Sequence, residues 1–206
     1  MFRTMILNMI KRFVILGGGE SGVGSALLAK QQGYDVFLSD ESSLKIEYRN
    51  ELMNAGIDFE EGKHSSEKIL NADEVMKSPG IPEKTEMMKL IREKRIQVIS
   101  EMELAYRFKG DSKIIAITGS NGKTTTTALT HHICHEASLD CAMVGNIGDS
   151  FARRIAENPA ALYVVEVSSF QLDDIITFRP DIAILTNITE DHLDRYDYKF
   201  ENYIKS

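Results

Sequence analysis

Short apolar runs alternate with amphipathic stretches along most of the chain. In the first half, the apolar runs predict strands at residues 13–16, 36–38, 57–60, 74–77 and 97–99. The amphipathic stretches between them predict helices at residues 25–32, 44–55, 65–71, 83–94 and 101–108. Strands that alternate with helices in this way are typical of a parallel sheet that is covered on both faces.

A second series of the same kind starts after a polar joint at residues 109–111. Its apolar runs predict strands at residues 114–117, 141–144, 162–167 and 182–185. Helices are predicted at residues 125–136, 150–157 and 198–206. The two series predict an α/β protein with two domains, at residues 1–110 and 111–206, and a boundary near Phe108–Lys113.

A glycine-rich segment separates the first predicted strand from the first predicted helix. Gly17, Gly19 and Gly22 match the pattern G-x-G-x-x-G, which lets backbone N–H groups and a helix N-terminus approach phosphates. Asp40 ends the next strand, 18 residues after Gly22, where a ribose-binding acid would lie. This motif leaves open a tight turn without a ligand or a Rossmann-like nucleotide site, and it does not separate NAD from other phosphate-bearing nucleotides.

A second glycine-containing loop carries the strongest signal in the sequence. The segment Gly119-Ser120-Asn121-Gly122-Lys123-Thr124 fits a shortened phosphate-binding pattern, G-x-x-G-K-T, between an apolar strand and a helix. In such a loop the backbone N–H groups wrap the phosphates and the lysine reaches the β- and γ-phosphates. The threonine hydroxyl binds Mg²⁺. The sequence therefore predicts a P-loop, with a surface turn as the alternative.

Two further residues are candidates for the same site. Glu166 lies near the carboxyl end of a buried strand, where a carboxylate is costly unless it is paired or bound to a metal. Ligands bind at the carboxyl ends of parallel strands, so we interpret Glu166 as a Mg²⁺ ligand, with a solvated strand-end acid as the alternative. His192 follows the last predicted strand in an acidic segment and is a second candidate ligand, with a structural histidine as the alternative.

Composition narrows the class of protein. Hydrophobic residues make up 43% and charged residues 27% of the 206, close to the average of soluble globular proteins, and no apolar run approaches the ~18 residues of a membrane span. The net charge is −7, which argues against a nucleic-acid partner. Two cysteines are too few for a disulfide framework in a chain of this size, which favours a reducing compartment. Residues 1–10 lack the features of a signal peptide and are predicted to be a lead-in.

Four motifs resemble, in their order, those of the Mur ligase family. They occupy residues 116–125, 145–148, 166–172 and 187–196. Ser78-Pro79-Gly80-Ile81 and Ser168-Ser169-Phe170-Gln171-Leu172 resemble the family members that add D-glutamate. The resemblance implies a cytoplasmic, ATP-dependent, ADP-forming ligase of peptidoglycan precursor synthesis, which is monomeric at full length. It would join D-glutamate to UDP-N-acetylmuramoyl-L-alanine through an acyl phosphate, with ATP and Mg²⁺ as cofactors.

The resemblance also assigns residues to this reaction. Lys123, Glu166 and His192 are the implied catalytic residues, and Thr124, Glu166 and His192 are the implied magnesium ligands. The implied ATP contacts are Gly119, Ser120, Asn121, Gly122, Lys123, Thr124 and Thr125. The implied contacts to the UDP substrate are Gly17, Gly19, Glu20, Ser21, Gly22, Asp40, Glu41, Asn146, Ser168 and Gln171.

The length of the chain departs from the family, whose members are roughly twice as long. We therefore expect a UDP-binding domain followed by about half of the central ATPase domain, inactive by itself, with the D-glutamate site mainly in an absent C-terminal domain. The alternatives are a non-catalytic nucleotide-binding module, an NAD-dependent oxidoreductase, another Mur ligase, and a folylpolyglutamate-type ligase. The oxidoreductase would leave the P-loop and Glu166 unexplained, and the folylpolyglutamate-type ligase would lack the first glycine motif.

Overall fold

A computed structural model describes residues 12–206 of the chain. The lead-in predicted at residues 1–10 lies outside the described residues. The described chain forms two sheets in which every strand pairing is parallel. The α/β class with parallel sheets, predicted from the alternating pattern, is confirmed. No helix in this part of the chain is long and apolar enough to cross a membrane.

The first sheet has five strands in the order β3-β2-β1-β4-β5. The strands are β1 (Arg12–Leu16), β2 (Asp35–Ser39), β3 (Asp58–Glu60), β4 (Glu74–Lys77) and β5 (Gln97–Ile99). Strand β1 lies in the centre, and its residues Phe13 to Leu16 are fully buried because helices cover both faces of the sheet. The helices of this half are α1 (Glu20–Gln31), α2 (Ile46–Asn54), α3 (Ser66–Ile69), α4 (Glu86–Glu93) and α5 (Glu101–Phe108).

The second sheet has four strands in the order β7-β8-β6-β9. The strands are β6 (Lys113–Thr118), β7 (Cys141–Gly145), β8 (Leu162–Glu166) and β9 (Ile182–Leu185). The helices are α6 (Lys123–Glu136), α7 (Phe151–Glu157), α8 (Ser169–Leu172) and α9 (Phe200–Lys205), and a 3-10 turn spans Leu193–Arg195. Strand β9 forms an edge, where Ile182 and Leu185 are each more than half exposed.

The two halves share one hydrophobic core. A single buried cluster runs from Phe13 in the first sheet through Leu28 and Met102 to Phe151 and Tyr163 in the second half. Helix α1 of the first half packs against helix α7 of the second. Residues 1–110 are therefore not closed on themselves, although the two sheets do divide between β5 and β6.

The predicted start of helix α1 is wrong. Helix α1 begins at Glu20 rather than at residue 25, so the last part of the predicted glycine loop is helical. Gly22 lies inside the helix, and only glycine fits there because a Cβ would come within 1.8 Å of the carbonyl oxygen of Gly17. Gly24 is also helical, and a Cβ there would lie 2.3 Å from Ser150 Oγ in the second half. These glycines serve close packing of the helix as well as the turn.

Two short elements have no counterpart in the sequence prediction. Helix α8 and the 3-10 turn at Leu193–Arg195 lie in segments without clear apolar periodicity. The last helix begins at Phe200, two residues later than expected. Elements this short depend on local capping and tertiary contacts, which a periodicity pattern does not report.

Candidate functional site

The first candidate site is a cavity of about 220 Å³ at the carboxyl edge of the first sheet. The chain order reverses between β1 and β4 here, and such switch points are where open α/β sheets bind ligands. The cavity is lined by the ends of β1 and β2, by the loop after β4 and by the start of α4. Its lining residues are Leu16, Gly17, Asp40, Glu41, Ser42, His64, Gly80, Ile81, Pro82, Thr85 and Met87.

The first glycine loop is held in place by Asp40. The Gly18 N–H donates to Asp40 Oδ2 at 2.5 Å, and the Ser42 N–H donates to Oδ1 at 2.7 Å. Gly17 has a φ of 95°, in the left-handed region, and a Cβ there would lie 2.7 Å from Ser78 Oγ. The predicted strand-end acid therefore shapes the loop, and the loop brings backbone to the edge of the cavity.

Two of the expected substrate contacts have partners near the junction of the two halves. Glu20 Oε1 lies 2.6 Å from Arg153 Nε, and this arginine also pairs with Glu51 at 2.6 Å. The Ser21 hydroxyl donates to the carboxylate of Glu101. Gly17, Asp40 and Glu41 line the cavity, whereas Glu20 and Ser21 are engaged between the halves. A contact of Glu20 or Ser21 with substrate stays a prediction.

Glu101 is a buried acceptor at this junction. Its Oε1 accepts hydrogen bonds from Ser150 Oγ at 2.5 Å and from the Ala152 N–H at 3.1 Å, at the start of α7. Burial raises the pKa of this carboxyl above its ordinary value, against the opposing effect of its donors. Glu101 therefore joins the first turn of α1, through Ser21, to the N-terminus of α7.

His64 lines the cavity without having been singled out by the sequence. Its Nδ1 lies 2.7 Å from Ser39 Oγ, and Ser39 also lies 2.8 Å from Glu60 Oε1. A lone histidine in a loop carries no pattern that marks it as a site residue. Only its tertiary contact with the end of β2 brings it to the cavity.

The second glycine loop follows β6 and leads into α6, as predicted. Gly119 has a φ of 135°, and a Cβ there would lie 2.2 Å from Thr186 Oγ1. Gly122 has a φ of 83° and is the N-cap residue of α6. Both positions require the left-handed region, which glycine enters without steric cost. The two glycines of the motif are therefore explained by backbone geometry.

Lys123 folds back over this loop. Its Nζ donates to the carbonyl oxygens of Gly119 at 2.6 Å and of Ser120 at 3.0 Å. The ammonium group is thus held beside the segment that is expected to wrap phosphates. A lysine at this place can meet negative charge on a bound phosphate.

The segment after β9 braces the phosphate loop. The Ser120 N–H donates to the Asn187 carbonyl oxygen at 3.0 Å, and the Asn121 N–H donates to Asn187 Oδ1 at 3.0 Å. The Ser120 hydroxyl donates to the Thr189 carbonyl oxygen at 2.8 Å. Asn187 and Thr189 therefore have a structural role at the site that spacing alone did not reveal.

Glu166 ends β8 beside the phosphate loop, since it is paired in register with Ile117 of β6. Its side chain is buried, and Oε1 accepts a hydrogen bond from Asn146 Nδ2 at 2.7 Å. Glu166 Oε2 is buried and has no hydrogen-bond partner among residues 12–206. A buried carboxylate oxygen without a partner is costly, and a cation would satisfy it. This arrangement fits a magnesium ligand.

The other two expected magnesium ligands are exposed. Thr124 lies on the first turn of α6, and His192 has a left-handed φ of 48° and packs against Phe170 with 5.0 Å between ring centroids. In the described part of the chain, no group of three or more His, Cys, Asp or Glu side chains is arranged to hold a metal ion. Magnesium that is bound with nucleotide needs only one or two carboxylates besides phosphate and water oxygens, so the residues present fit this mode.

Ser168 and Gln171 form the cap of α8. Gln171 Oε1 accepts hydrogen bonds from the Ser168 N–H at 3.0 Å and from its hydroxyl at 3.1 Å. Their expected contact with substrate stays a prediction. Their local role is to start the short helix that carries Phe170.

A switch-point cavity and a phosphate-binding type of loop beside an acidic strand end are typical of parallel α/β proteins of the P-loop class. Residues 12–87 match the MurD N-terminal domain, and residues 117–206 match the Mur ligase middle domain. The chain belongs to the Mur ligase family, as its motifs indicated. These matches favour the family over the oxidoreductase and the folylpolyglutamate-type ligase.

Two relatives with high sequence identity carry the same name. The chain is 59% identical over 199 residues to the UDP-N-acetylmuramoylalanine--D-glutamate ligase of Cytophaga hutchinsonii, covering 96% of this chain and 44% of that protein. It is 56% identical over 198 residues to the protein of the same name from Christiangramia forsetii, with the same coverage. The chain thus spans less than half the length of these relatives.

The fold is shared with a solved structure of the family. The UDP-N-acetylmuramate-alanine ligase MurC of Thermotoga maritima is 22% identical, with a TM-score of 0.59. The match covers 95% of this chain and 45% of that one. At this identity the likeness establishes the fold alone, and it agrees with the two parallel sheets.

Proposed function

We propose that the chain is the UDP-substrate-binding part and the first part of the ATP-binding domain of a ligase that joins D-glutamate to UDP-N-acetylmuramoyl-L-alanine. The observation that carries this proposal is the 59% identity, over almost the whole chain, to a relative of that name. The phosphate loop and the unpaired oxygen of Glu166 support it, because the reaction needs ATP and a cation.

The first step of the proposed reaction transfers a phosphoryl group. The γ-phosphoryl group of ATP passes to the substrate carboxylate, which gives an acyl phosphate and ADP. In this chain, we assign the phosphates to the loop at Gly119–Gly122 and the first turn of α6, and Lys123 stabilises the charge on the transferred group. Magnesium, held by Thr124, Glu166 and His192, would neutralise phosphate oxygens.

The second step forms the amide bond. The amine of D-glutamate attacks the acyl phosphate, and the tetrahedral intermediate loses phosphate. We assign D-glutamate mainly to the part of the relatives that this chain does not span. We assign the UDP moiety to the cavity beside Gly17 and Asp40, with Asn146, Ser168 and Gln171 toward the muramoyl side.

The proposal also assigns a cellular compartment, partners and an oligomeric state. Peptidoglycan precursors that carry UDP are made in the cytoplasm, so we place the protein there, with no nucleic-acid or membrane partner and as a monomer at full length. The acidic net charge of −7 agrees with the absence of a nucleic-acid partner.

Calorimetry tests the proposal directly. We expect the chain to bind UDP-N-acetylmuramoyl-L-alanine and UDP, and to bind ATP in the presence of Mg²⁺, with NADH much weaker than UDP. Asp40→Asn should weaken UDP binding without affecting ATP, because Asp40 holds the first glycine loop. NADH that binds more tightly than UDP would overturn the proposal.

A further inference from the structure

Arg195 reaches from the second half of the protein to the first. Its Nη2 donates to the carbonyl oxygen of Pro79 at 3.0 Å and lies 3.5 Å from that of Ile81. Both carbonyls belong to the loop after β4, whose residues Gly80 to Pro82 line the cavity of the first sheet. An arginine 116 residues away along the chain therefore anchors one wall of the cavity.

The same guanidinium group lies over an aromatic ring. Its carbon is 4.4 Å from the centroid of the ring of Phe170, a residue of α8. Phe170 also packs against His192 at 5.0 Å and lies nearly parallel to Tyr196 at 6.0 Å. Arg195 thus connects the cavity wall with the ring that supports the expected magnesium ligand.

These contacts continue to the phosphate loop. Tyr196 packs against Tyr203 with 5.5 Å between ring centroids, and the Tyr203 hydroxyl lies 2.9 Å from Ser120 Oγ. Tyr196 is also held by a hydrogen bond from its hydroxyl to Asp173 Oδ2 at 3.1 Å. An unbroken series of contacts therefore joins the cavity of the first sheet to the phosphate loop of the second.

The segment that carries Arg195 has a strained backbone. His192, Asp197 and Tyr198 have φ values of 48°, 55° and 55°, in the left-handed region that side chains other than glycine rarely adopt. Such conformations persist where surrounding contacts hold them. Arg195 lies between these residues, and its anchor is on the other half of the protein.

We propose that Arg195 is a positioning residue that couples the two nucleotide sites. The loop at residues 79–81 holds the guanidinium group, which in turn holds Phe170 and the strained segment that carries His192. A uridine nucleotide that orders this loop in the cavity favours the arrangement that binds ATP with Mg²⁺. The inference rests on the proposed function and adds to it a residue that makes binding at one site depend on the other.

The chemistry of the side chain makes the proposal specific. Guanidinium is planar, so its edge donates to carbonyl oxygens while its face stacks on a ring. A lysine ammonium group keeps the charge but cannot do both. Arg195→Lys therefore separates positioning from a simple effect of charge.

The experiment measures linkage between two ligands on the 206-residue chain. The dissociation constant of Mg²⁺–ATP is measured with and without saturating UDP, and that of UDP with and without Mg²⁺–ATP. For the native chain we expect each ligand to tighten the other by the same factor, about fivefold or more, since coupling between sites is reciprocal. Arg195→Ala and Arg195→Lys should both reduce this factor to near one while each ligand still binds alone.

Two further variants test whether a loss of coupling is specific to the contact between Arg195 and Phe170. Phe170→Leu removes the ring and leaves Arg195 in place, so it should also reduce the coupling factor. Arg179→Ala removes an exposed arginine of the same half and should leave the factor unchanged. Circular dichroism confirms that each variant is folded, and if Arg195→Ala is not, Arg195→Lys and Phe170→Leu decide the question.

The outcomes separate the inference from the function. If the native chain binds both ligands with a coupling factor of one, or if Arg195→Lys keeps the native factor, the inference is overturned and the proposed function stands. If the native chain binds neither UDP nor Mg²⁺–ATP, the proposed function fails and the inference fails with it. A factor that is lost in Arg195→Lys and Phe170→Leu but kept in Arg179→Ala supports the inference.

Discussion

Asn146 donates a hydrogen bond from Nδ2 to Oε1 of Glu166 at 2.7 Å, at the carboxyl end of strand β8. This bond holds one oxygen of the carboxylate and leaves Oε2, which is buried, without a partner among the described residues. Because β8 pairs with β6, this oxygen lies at the edge of the sheet where the phosphate loop begins. The pair therefore links two motifs that are 20 residues apart in the sequence.

The unpaired oxygen makes Glu166→Gln the sharpest test of the magnesium assignment. The substitution keeps the size of the side chain and removes its charge. We therefore expect the factor by which Mg²⁺ tightens ATP binding to be at least about tenfold smaller than in the native chain. Titration of ATP at several Mg²⁺ concentrations measures this effect. Glu136→Gln, at an exposed site at the end of α6, is the matched control. Unchanged magnesium dependence in Glu166→Gln would remove the residue from the metal site.

Lys123→Ala should affect the ATP site alone. The Lys123 ammonium group lies over the phosphate loop, whereas the cavity for UDP belongs to the first sheet. We expect ATP binding to fall sharply while UDP binding remains, and in a whole ligase we expect a loss of ~10³-fold or more in rate, the scale of removing such a charge. Calorimetry with each nucleotide and turnover assays measure the two effects. A full-length variant that retains more than about a tenth of native turnover would contradict the role of Lys123.

Alanine at Gly22 should destabilise the protein much more than alanine at Gly19. In Gly22→Ala, the new Cβ would lie 1.8 Å from the backbone oxygen of Gly17, so the loop or the helix must move. We expect the free energy of unfolding to fall by about 1–3 kcal/mol, as for other overpacked sites. Gly19→Ala is the control, because no atom lies within 4 Å of its new Cβ and its φ is −77°. Equal denaturation midpoints for the two variants would show that the contact at Gly22 relaxes freely.

Glu103 should make the stability of the contact between the two halves depend on pH. Burial would raise the pKa of this carboxyl, but N–H groups of Ile176, Thr177 and Phe178 and the Thr177 hydroxyl outweigh burial and lower the pKa. A carboxyl whose pKa is lower in the folded state stabilises the fold above its unfolded pKa. That stability is lost as pH falls below about 4.3, through the lower pKa of the folded state.

Denaturant unfolding between pH 7 and pH 3 measures this contribution. At pH 7, Glu103→Gln should lower the free energy of unfolding by about 1–3 kcal/mol, because it weakens a buried charged acceptor. The difference between the native chain and Glu103→Gln should shrink as the pH falls. Glu93→Gln, at an exposed helical position, should behave like the native chain. A difference that stays constant with pH would show that the Glu103 carboxylate charge is not involved.

Local features of this protein follow from its sequence. Runs of buried apolar residues set the strands, and Gly119 and Gly122 set the left-handed turns of the phosphate loop, because each depends on φ values and neighbours within a few residues. The position of Glu166 at a strand end is also local. The α/β class, the phosphate loop and most strand positions were therefore predictable.

Contacts between distant residues were decided by tertiary structure. Arg195 meets Pro79 across the two halves, and Ser21 of α1 meets Glu101 of α5, which is 80 residues away in the first half. His64 reaches the cavity only through Ser39. Periodicity and spacing indicate the backbone conformation that one segment favours. These pairings depend instead on the free energy of burying two segments against each other. The sequence by itself determined the two glycine loops and the strands that precede them, and the packing of the two halves determined which side chains connect those loops.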